Sequence, residues 1–215
     1  LVGSEMCIRD SVRTYYSPFG QIDQTYARRW GHYTYRNLPK IYDAHIITAE
    51  YLIDNIDRAF DNWQKRPWNR SLSFEDFCEY LLPYRIGDEP LEEWRELYEK
   101  KYGYLLDSIY KGSDVVEAAN LVSRHLQEPV FIYCEDFELP HIGPRYLFSH
   151  RYGSCVDAAD IVTYAFRAVG IPCMEDTDAR GGHVWNVVRD TTGRDVPIWL
   201  SLIHISEPTR RVVIS

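Results

Sequence analysis

The stretch "RYGSCVDAADIVTYAFRAVGIPC" at residues 151–173 decides the fold, because it predicts a single buried central helix. Its apolar side chains recur at helical spacing and form one continuous stripe: Val156, Ala159, Val162, Phe166 and Val169. Gly170 and Pro172 end the helix. Ser154 is a favourable N-cap, so the pattern places Cys155 at the first helical position.

A thiol at that position is a candidate nucleophile. Unpaired backbone amides and the positive end of the helix dipole stabilise an anion there, which favours the thiolate of Cys155. Asp157 opposes this effect unless its carboxylate is occupied in capping the helix. The later stretch "GGHVWNVVRD" (181–190) presents His183 at the start of a predicted strand. An imidazole beside a helix-terminal thiol is how cysteine acyl-transfer enzymes generate a thiolate, so we take Cys155 and His183 as the candidate catalytic pair.

The first two thirds of the chain, before Pro129, carry four amphipathic segments that predict helices. The first is expected to pack inward through residues at steps of four, three and four: Leu52, Ile56, Ala59 and Trp63. The third is expected to start at Pro90, end at Gly112 and bury a single stripe: Leu91, Trp94, Tyr98, Tyr102, Leu105 and Ile109. The spacing of helix capping boxes occurs twice, as Ser73 with Asp76 and as Asp114 with Glu117.

The last third is rich in short β-prone runs separated by turn residues. The predicted strands are "VFIYC" (130–134), "YLFSHRY" (146–152), "CMEDT" (173–177), "HVWNVV" (183–188) and "DVPIW" (195–199). The turn "DTTG" joins the last two as a hairpin, and pairing Arg189 with Arg194 would place position 200 opposite His183. A helical region, then a central helix, then an antiparallel sheet together predict an α+β fold.

Composition excludes some classes of partner. The chain of 215 residues has a net charge of −8, so its field disfavours nucleic acid and anionic membranes. Its longest apolar runs are too short to cross a bilayer, and we expect neither a nucleic-acid nor a membrane partner. Five cysteines at irregular spacing match no metal-binding pattern and no disulfide framework, so we expect no metal and no cofactor.

The two ends of the sequence look foreign. The first residues, "LVGSEMCIRD", and the last, "SLIHISEPTRR", are similar to translated sequencing adapter. We therefore expect residues 1–11 and 201–215 to be artefacts around a gene fragment, with the helical N-terminal region at 12–129 and the core at 130–200. Export to the periplasm or beyond stays open, because a native leader would precede such a fragment.

The motifs together carry a family resemblance. "GSCVDAADIVTYAFRAVGIPC" followed by "GGHVWNVV" resembles the core of the transglutaminase-like superfamily, in which a helix-initiating cysteine precedes a strand bearing H-x-W. The resemblance covers residues 153–199, and the helical segments "FEDFCEYLLPYR" and "LEEWRELY" are similar to N-terminal extensions of bacterial members. It implies a papain-like core with Cys155 as the nucleophile and His183 as the base.

The family's third residue, an aspartate on the next strand that orients the histidine, has no counterpart in the predicted hairpin. Asp190 is an odd number of residues from His183 and so faces away, while Asp195 lies near the turn. We therefore expect that the native partner was lost beyond Trp199.

Three functions remain open at this point. The first is thiol-dependent acyl transfer on peptide or amide bonds, by hydrolysis or by transfer to an amine, with a protein or cell-surface glycopeptide among the candidate substrates. The second is an inactive transglutaminase-like module that binds protein or glycan. The third is a cysteine amidase for small molecules inside the cell.

Overall fold

The computed structural model describes residues 41–129, 131–133, 141–178 and 183–198, and it has the predicted α+β fold. The α-helices are α1 (Ala49–Lys65), α2 (Phe74–Tyr80), α3 (Arg95–Tyr104), α4 (Val115–Leu126), α5 (Pro144–His150) and α6 (Cys155–Ala168). Short 3₁₀ turns occur at Asp43–His45 and Pro67–Ser71, and a π-helical turn, Leu105–Ile109, continues α3. The strands are β1 (Ile132–Tyr133), β2 (Tyr152–Gly153), β3 (Cys173–Thr177), β4 (Val184–Arg189) and β5 (Asp195–Ile198). The predicted adapter segments lie outside the described residues.

The predicted N-caps Ser73 and Asp114 are confirmed, although the Asp114 amide donates to the Tyr110 hydroxyl (3.0 Å) and not to Glu117. The Ser73 hydroxyl accepts a hydrogen bond from the Asp76 amide (3.0 Å) at the start of α2. The Asp114 carboxylate accepts from the amides of Val116 (2.7 Å) and Glu117 (3.3 Å) at the start of α4. These three bonds satisfy amides that have no partner within the helix, which is why these boundaries can be predicted from nearby residues.

The inward face of α1 was predicted only in part: Ala59 is buried and Trp63 packs against the core, as expected. Its buried residues are Asn55, Ala59 and Asn62, whereas Ile56 is 46% exposed. Asn55 Nδ2 donates to the Leu82 carbonyl (2.9 Å), and Asn62 Nδ2 donates to the carbonyl of Ala168 at the end of α6 (3.1 Å). Amides that hydrogen-bond neighbouring backbone can be buried at little cost, so α1 packs through a polar face and leaves an apolar face outside.

The third predicted helix also differs at both ends. It begins at Arg95 rather than Pro90, and its last turn is π-helical. The predicted stripe is buried from Trp94 to Leu105, but Leu91 is only half-buried, Ile109 is 54% exposed and Leu106 is buried in place of Ile109. A π-turn takes more residues than an α-turn, so it rotates later side chains away from the α-helical phase.

The sheet contains β3, β4 and β5 in that order, all antiparallel, as predicted. β3 pairs with β4 from Cys173 opposite Val188 to Thr177 opposite Val184. The β4–β5 register is one residue from the prediction, because Arg189 pairs with Asp195 rather than with Arg194. The turn between them is held by its own hydrogen bonds, which add one residue to the loop.

Two further assignments near β1 differ from the prediction. Residues 146–152 do not form a strand: most of them lie in α5, which starts at Pro144, a favoured first-turn position. Tyr152 and Gly153 form β2, which pairs with β1 in parallel. This two-stranded sheet leads directly into α6 and fixes the segment that precedes Cys155.

A single main core joins the helical region to the sheet. It includes Trp68, Tyr98 and Val122 from before residue 130, and Phe166 and Val188 from after it. All five are less than a tenth exposed. The central helix therefore lies between the helical layer and the sheet, as the sequence predicted. No helix in the described ranges has both the length and the apolar character that a membrane span needs.

Candidate functional site

The start of α6 is closed by a capping box between Ser154 and Asp157. Asp157 Oδ2 accepts hydrogen bonds from the Ser154 amide (2.7 Å) and from the Ser154 hydroxyl (2.9 Å). Asp157 Oδ1 accepts from the Ile142 amide at 3.4 Å. Its carboxylate is therefore occupied in holding the helix terminus.

Cys155 is the first residue of this fourteen-residue helix, with a free and partly exposed thiol. Helix dipole and unpaired amides act on an anion at this position, and solvent or a ligand can reach it. The other cysteines differ in environment. Cys173 is fully buried beneath α6, and burial raises the pKa of its thiol to about 12. Cys78 is half-buried in α2, while Cys7 and Cys134 lie outside the described residues.

The contacts between α6 and the sheet show which way the strands run. Asn186 Nδ2, in the middle of β4, donates to the carbonyl of Ala159 (3.0 Å) and to the hydroxyl of Thr163 (2.9 Å) on α6. Further along, Arg167 Nε of α6 donates to the carbonyl of Cys173 (3.1 Å). Cys173 is paired with Val188, which lies two positions after Asn186 in β4. Later β4 residues thus lie beside later α6 residues, and the two elements run in the same direction.

His183 immediately precedes β4, so this alignment places it toward the end of the layer where Cys155 begins α6. Its ring centroid lies 6.1 Å from that of Trp185, with the planes at 34°. Because Asn186 faces α6, strand alternation directs Trp185 to the opposite face, and His183, two positions before Trp185, shares that face if the alternation extends past the start of β4. Contact between the Cys155 sulfur and a His183 ring nitrogen stays a prediction.

Asp178 is the acidic residue that sequence reasoning missed. The Asp178 amide donates to the His183 carbonyl at 3.1 Å, which extends the β3–β4 register by one pair beyond Thr177 and Val184. Opposite residues in an antiparallel pair direct their side chains to the same face, with Cβ atoms about 5 Å apart. The backbone pairing therefore sets Asp178 opposite His183 on the β3 side of β4 rather than on the β5 side. Two β-prone runs around a Gly-Gly pair predict this hairpin, but only the β5 side was considered.

Asp190 and Asp195 act elsewhere, in agreement with their rejection as triad partners. Asp190 Oδ1 accepts from the Thr192 amide (2.8 Å) and from the Arg194 amide (2.9 Å), so it organises the β4–β5 turn. Asp195 Oδ1 accepts from the Tyr80 hydroxyl at 3.1 Å.

A buried polar cluster lies on the same side of α6 as β3. His141 Nδ1 lies 2.9 Å from Asp160 Oδ2, and Asp160 is completely buried. Burial raises the pKa of Asp160 well above its usual range. Burial, reinforced by the Asp160 carboxyl, also raises the pKa of Glu175 to about 9. Glu175 Oε1 accepts from the Thr163 hydroxyl (3.1 Å), so the carboxyl pair joins β3 to α6.

A metal-binding cluster does not mark the Cys155 end within the described ranges. No three His, Cys, Asp or Glu side chains among the described residues are arranged to hold a metal ion. A cavity of about 450 Å³ lies elsewhere, against the end of α1 and the π-turn, lined in part by Arg66, Trp68, Asp107 and Tyr110.

Comparison with known proteins adds no homologue. The chain matches no family model, no curated protein and no solved structure.

Proposed function

We propose that the protein catalyses acyl transfer from peptide or amide bonds through a thioester on Cys155, with His183 as the general base. The observation that carries the proposal is that a free thiol begins α6 while an imidazole begins the adjacent, co-directional β4. The likeness of "GSCVDAAD" and "GGHVW" to the transglutaminase-like superfamily also supports a papain-like core.

The reaction proceeds in two balanced steps. The thiol proton passes to His183, the sulfur bonds to the substrate carbonyl carbon, the C–N bond breaks, and the amine leaves with that proton. Water or a second amine then attacks the thioester, which releases the acyl group and restores the thiol. Hydrolysis and transamidation differ only in this second nucleophile.

Asp178 has the orienting role in this proposal. A carboxylate opposite His183 in the β3–β4 pair would hold one ring nitrogen in its protonated tautomer, so that the other nitrogen can accept the thiol proton. The support for this role of Asp178 is its backbone pairing with His183. This assignment replaces the expectation that the orienting residue must lie beyond Trp199.

The test is formation of an acyl-enzyme from an activated ester such as p-nitrophenyl acetate, followed by intact-protein and peptide mass spectrometry. We expect one acetyl group on Cys155, no acylation in Cys155→Ala, and unchanged acylation in the matched control Cys78→Ala. His183→Gln should slow acylation by about 10²-fold or more, because it removes the base. Asp178→Asn should slow it while a pH profile still shows a titrating base.

The binding-module alternative predicts a different result. If Cys155→Ala releases p-nitrophenol as fast as the parent chain, and peptide, glutamine-amide and cell-wall-type amides are all untouched, the enzymatic proposal fails. A folded chain with that behaviour would be assigned as an inactive module. Turnover of small amides without turnover of peptides would favour the small-molecule amidase.

A further inference from the structure

Four of the exposed large apolar side chains among the described residues lie together on α1 and at the start of α2. Ile53 (57% exposed), Ile56 (46%) and Phe60 (43%) line one side of α1, and Phe74 (65%) adjoins them at the start of α2. We call these four residues the α1 face. Contiguous exposed apolar residues on a soluble protein mark a surface that another segment covers.

The α1 face is continuous with ordered packing beneath it. The Phe60 ring meets the rings of Trp63 and Phe77 edge-on, with centroids 5.5 and 6.1 Å away. Trp63 stacks on Phe77 at 4.5 Å, and Phe74 lies 6.2 Å from Trp63. The exposed rings therefore sit on a packed aromatic base, which presents them in a defined arrangement.

One edge of this face is acidic. Glu50, Asp57 and Asp61 are all exposed on α1, and their helical positions place them along one side of the Ile53–Phe60 stripe. Such an edge favours a basic occupant and disfavours an acidic one.

The chain itself contains a segment of matching chemistry. Residues 12–40 include seven aromatic residues in 29 positions: Tyr15, Tyr16, Phe19, Tyr26, Trp30, Tyr33 and Tyr35. They carry five Lys or Arg against one Asp, a net charge of +4 in a chain whose total is −8. This segment joins the described residues at Ile41, eight positions before α1 begins. We propose that residues 12–40 dock on the α1 face of the same chain.

Two physical effects favour this occupant over a second copy. Covalent attachment raises the effective concentration of a nearby segment to the order of millimolar, so even a weak contact is populated. A symmetric pair of α1 faces would instead bring two acidic edges together, which is repulsive.

The first experiment places a photocrosslinker on the face. In the full chain, Ile56 is replaced by p-benzoylphenylalanine, and the exposed Asn120 of α4 is replaced likewise as a control. We expect irradiation to give crosslinks within one chain from position 56 to residues 12–40, and none to that segment from position 120. Crosslinks between two chains would assign the face to a second copy, and no crosslink to residues 12–40 would overturn the proposal.

The second experiment is a double-mutant cycle on thermal unfolding. Ile56→Asp should lower the Tm by about 5 °C or more if the face is covered, whereas substitution of a solvated side chain has little effect. Trp30→Ala should lower the Tm as well, and the double variant should lose clearly less than the sum of the two. Additive losses, or a change below about 1 °C for Ile56→Asp, would contradict docking.

Discussion

Glu175→Gln should change how stability depends on pH. The pKa of Glu175 is about 9 in the folded chain because the carboxyl is buried beside Asp160, against 4.5 for an ordinary glutamate. Between these two values the folded state holds a proton that the unfolded state has released. The free energy of unfolding therefore falls as pH rises from about 4.5 to about 9, by about 1.4 kcal/mol per pH unit for one isolated group.

The magnitude at neutral pH follows from this slope. An isolated Glu175 would lose about 3 kcal/mol of stability between pH 4.5 and 7. Asp160 and His141 share the same proton network, so we expect a smaller loss, about 1–3 kcal/mol. Glutamine mimics the protonated acid and keeps an acceptor for Thr163. The variant should match the parent chain near pH 5 and exceed its stability by about 2 kcal/mol at pH 8.

The assay is urea unfolding of both chains at pH 5, 6, 7 and 8, with Glu79→Gln as the matched control because Glu79 is an exposed carboxyl of α2. The control should follow the parent chain at every pH. The reasoning is refuted if the difference between Glu175→Gln and the parent chain stays constant across this range.

The remaining predictions concern reactivity and packing. A thiol-directed electrophile at pH 7 should label Cys155 well before Cys173, whose pKa is about 12 through burial, and equal rates in peptide mass spectrometry would argue for an inert thiol. Asn186→Leu removes two side-chain hydrogen bonds to α6 and should lower the free energy of unfolding by about 2 kcal/mol in urea, against a change under about 0.5 kcal/mol if those bonds are unimportant. Gly170→Ala should lower the free energy of unfolding by about 2 kcal/mol or more, because φ is +81° and the new Cβ would lie 2.8 Å from a backbone oxygen of α1. Gly193 has φ +79°, and an added Cβ there would meet nothing within 4 Å. Gly193→Ala therefore measures the backbone strain alone and should lower the free energy of unfolding by only about 1 kcal/mol.

Features that depend on nearby residues were predictable from the sequence. The caps at Ser73 and Asp114 need only a side chain and an amide two or three residues away, so spacing alone identifies them. The limits of β3, Cys173–Thr177, coincide with the predicted run because Gly170 and Pro172 separate it from α6. The same local signals placed Cys155 at the start of its helix.

Features that depend on distant partners were not predictable in this way. Asn55 and Asn62 become the buried side of α1 only because carbonyls from Leu82 and Ala168 receive their hydrogen bonds. Periodicity counts only apolar residues, so it identified Ala59 but included the exposed Ile56 and left out the two asparagines. His141 likewise has no sequence neighbour that signals its contact with Asp160, nineteen residues away.

The β4–β5 register shows that a difference of one residue in a loop changes which residues lie opposite each other. A hairpin loop longer by one residue pairs Arg189 with Asp195 and moves every later partner by one position. On the other side of β4, the β3 register gives His183 a partner directly, through the Asp178 amide. The register of each neighbouring strand therefore decides which residue lies opposite His183.

Different positions along α6 contribute to stability and to reactivity. Asp160 and Thr163 bind the sheet through buried polar groups in the body of the helix, whereas Cys155 lies at its first, partly exposed position. Since Cys155 has no part in the carboxyl pair, Cys155→Ala should leave the slope of unfolding free energy against pH unchanged. Since Glu175→Gln keeps the neutral network that holds β3 on α6, it should leave Cys155 the fastest-labelled thiol at pH 7. A Cys155→Ala chain with an altered slope, measured in the same urea series, would show that the two systems are coupled through the helix.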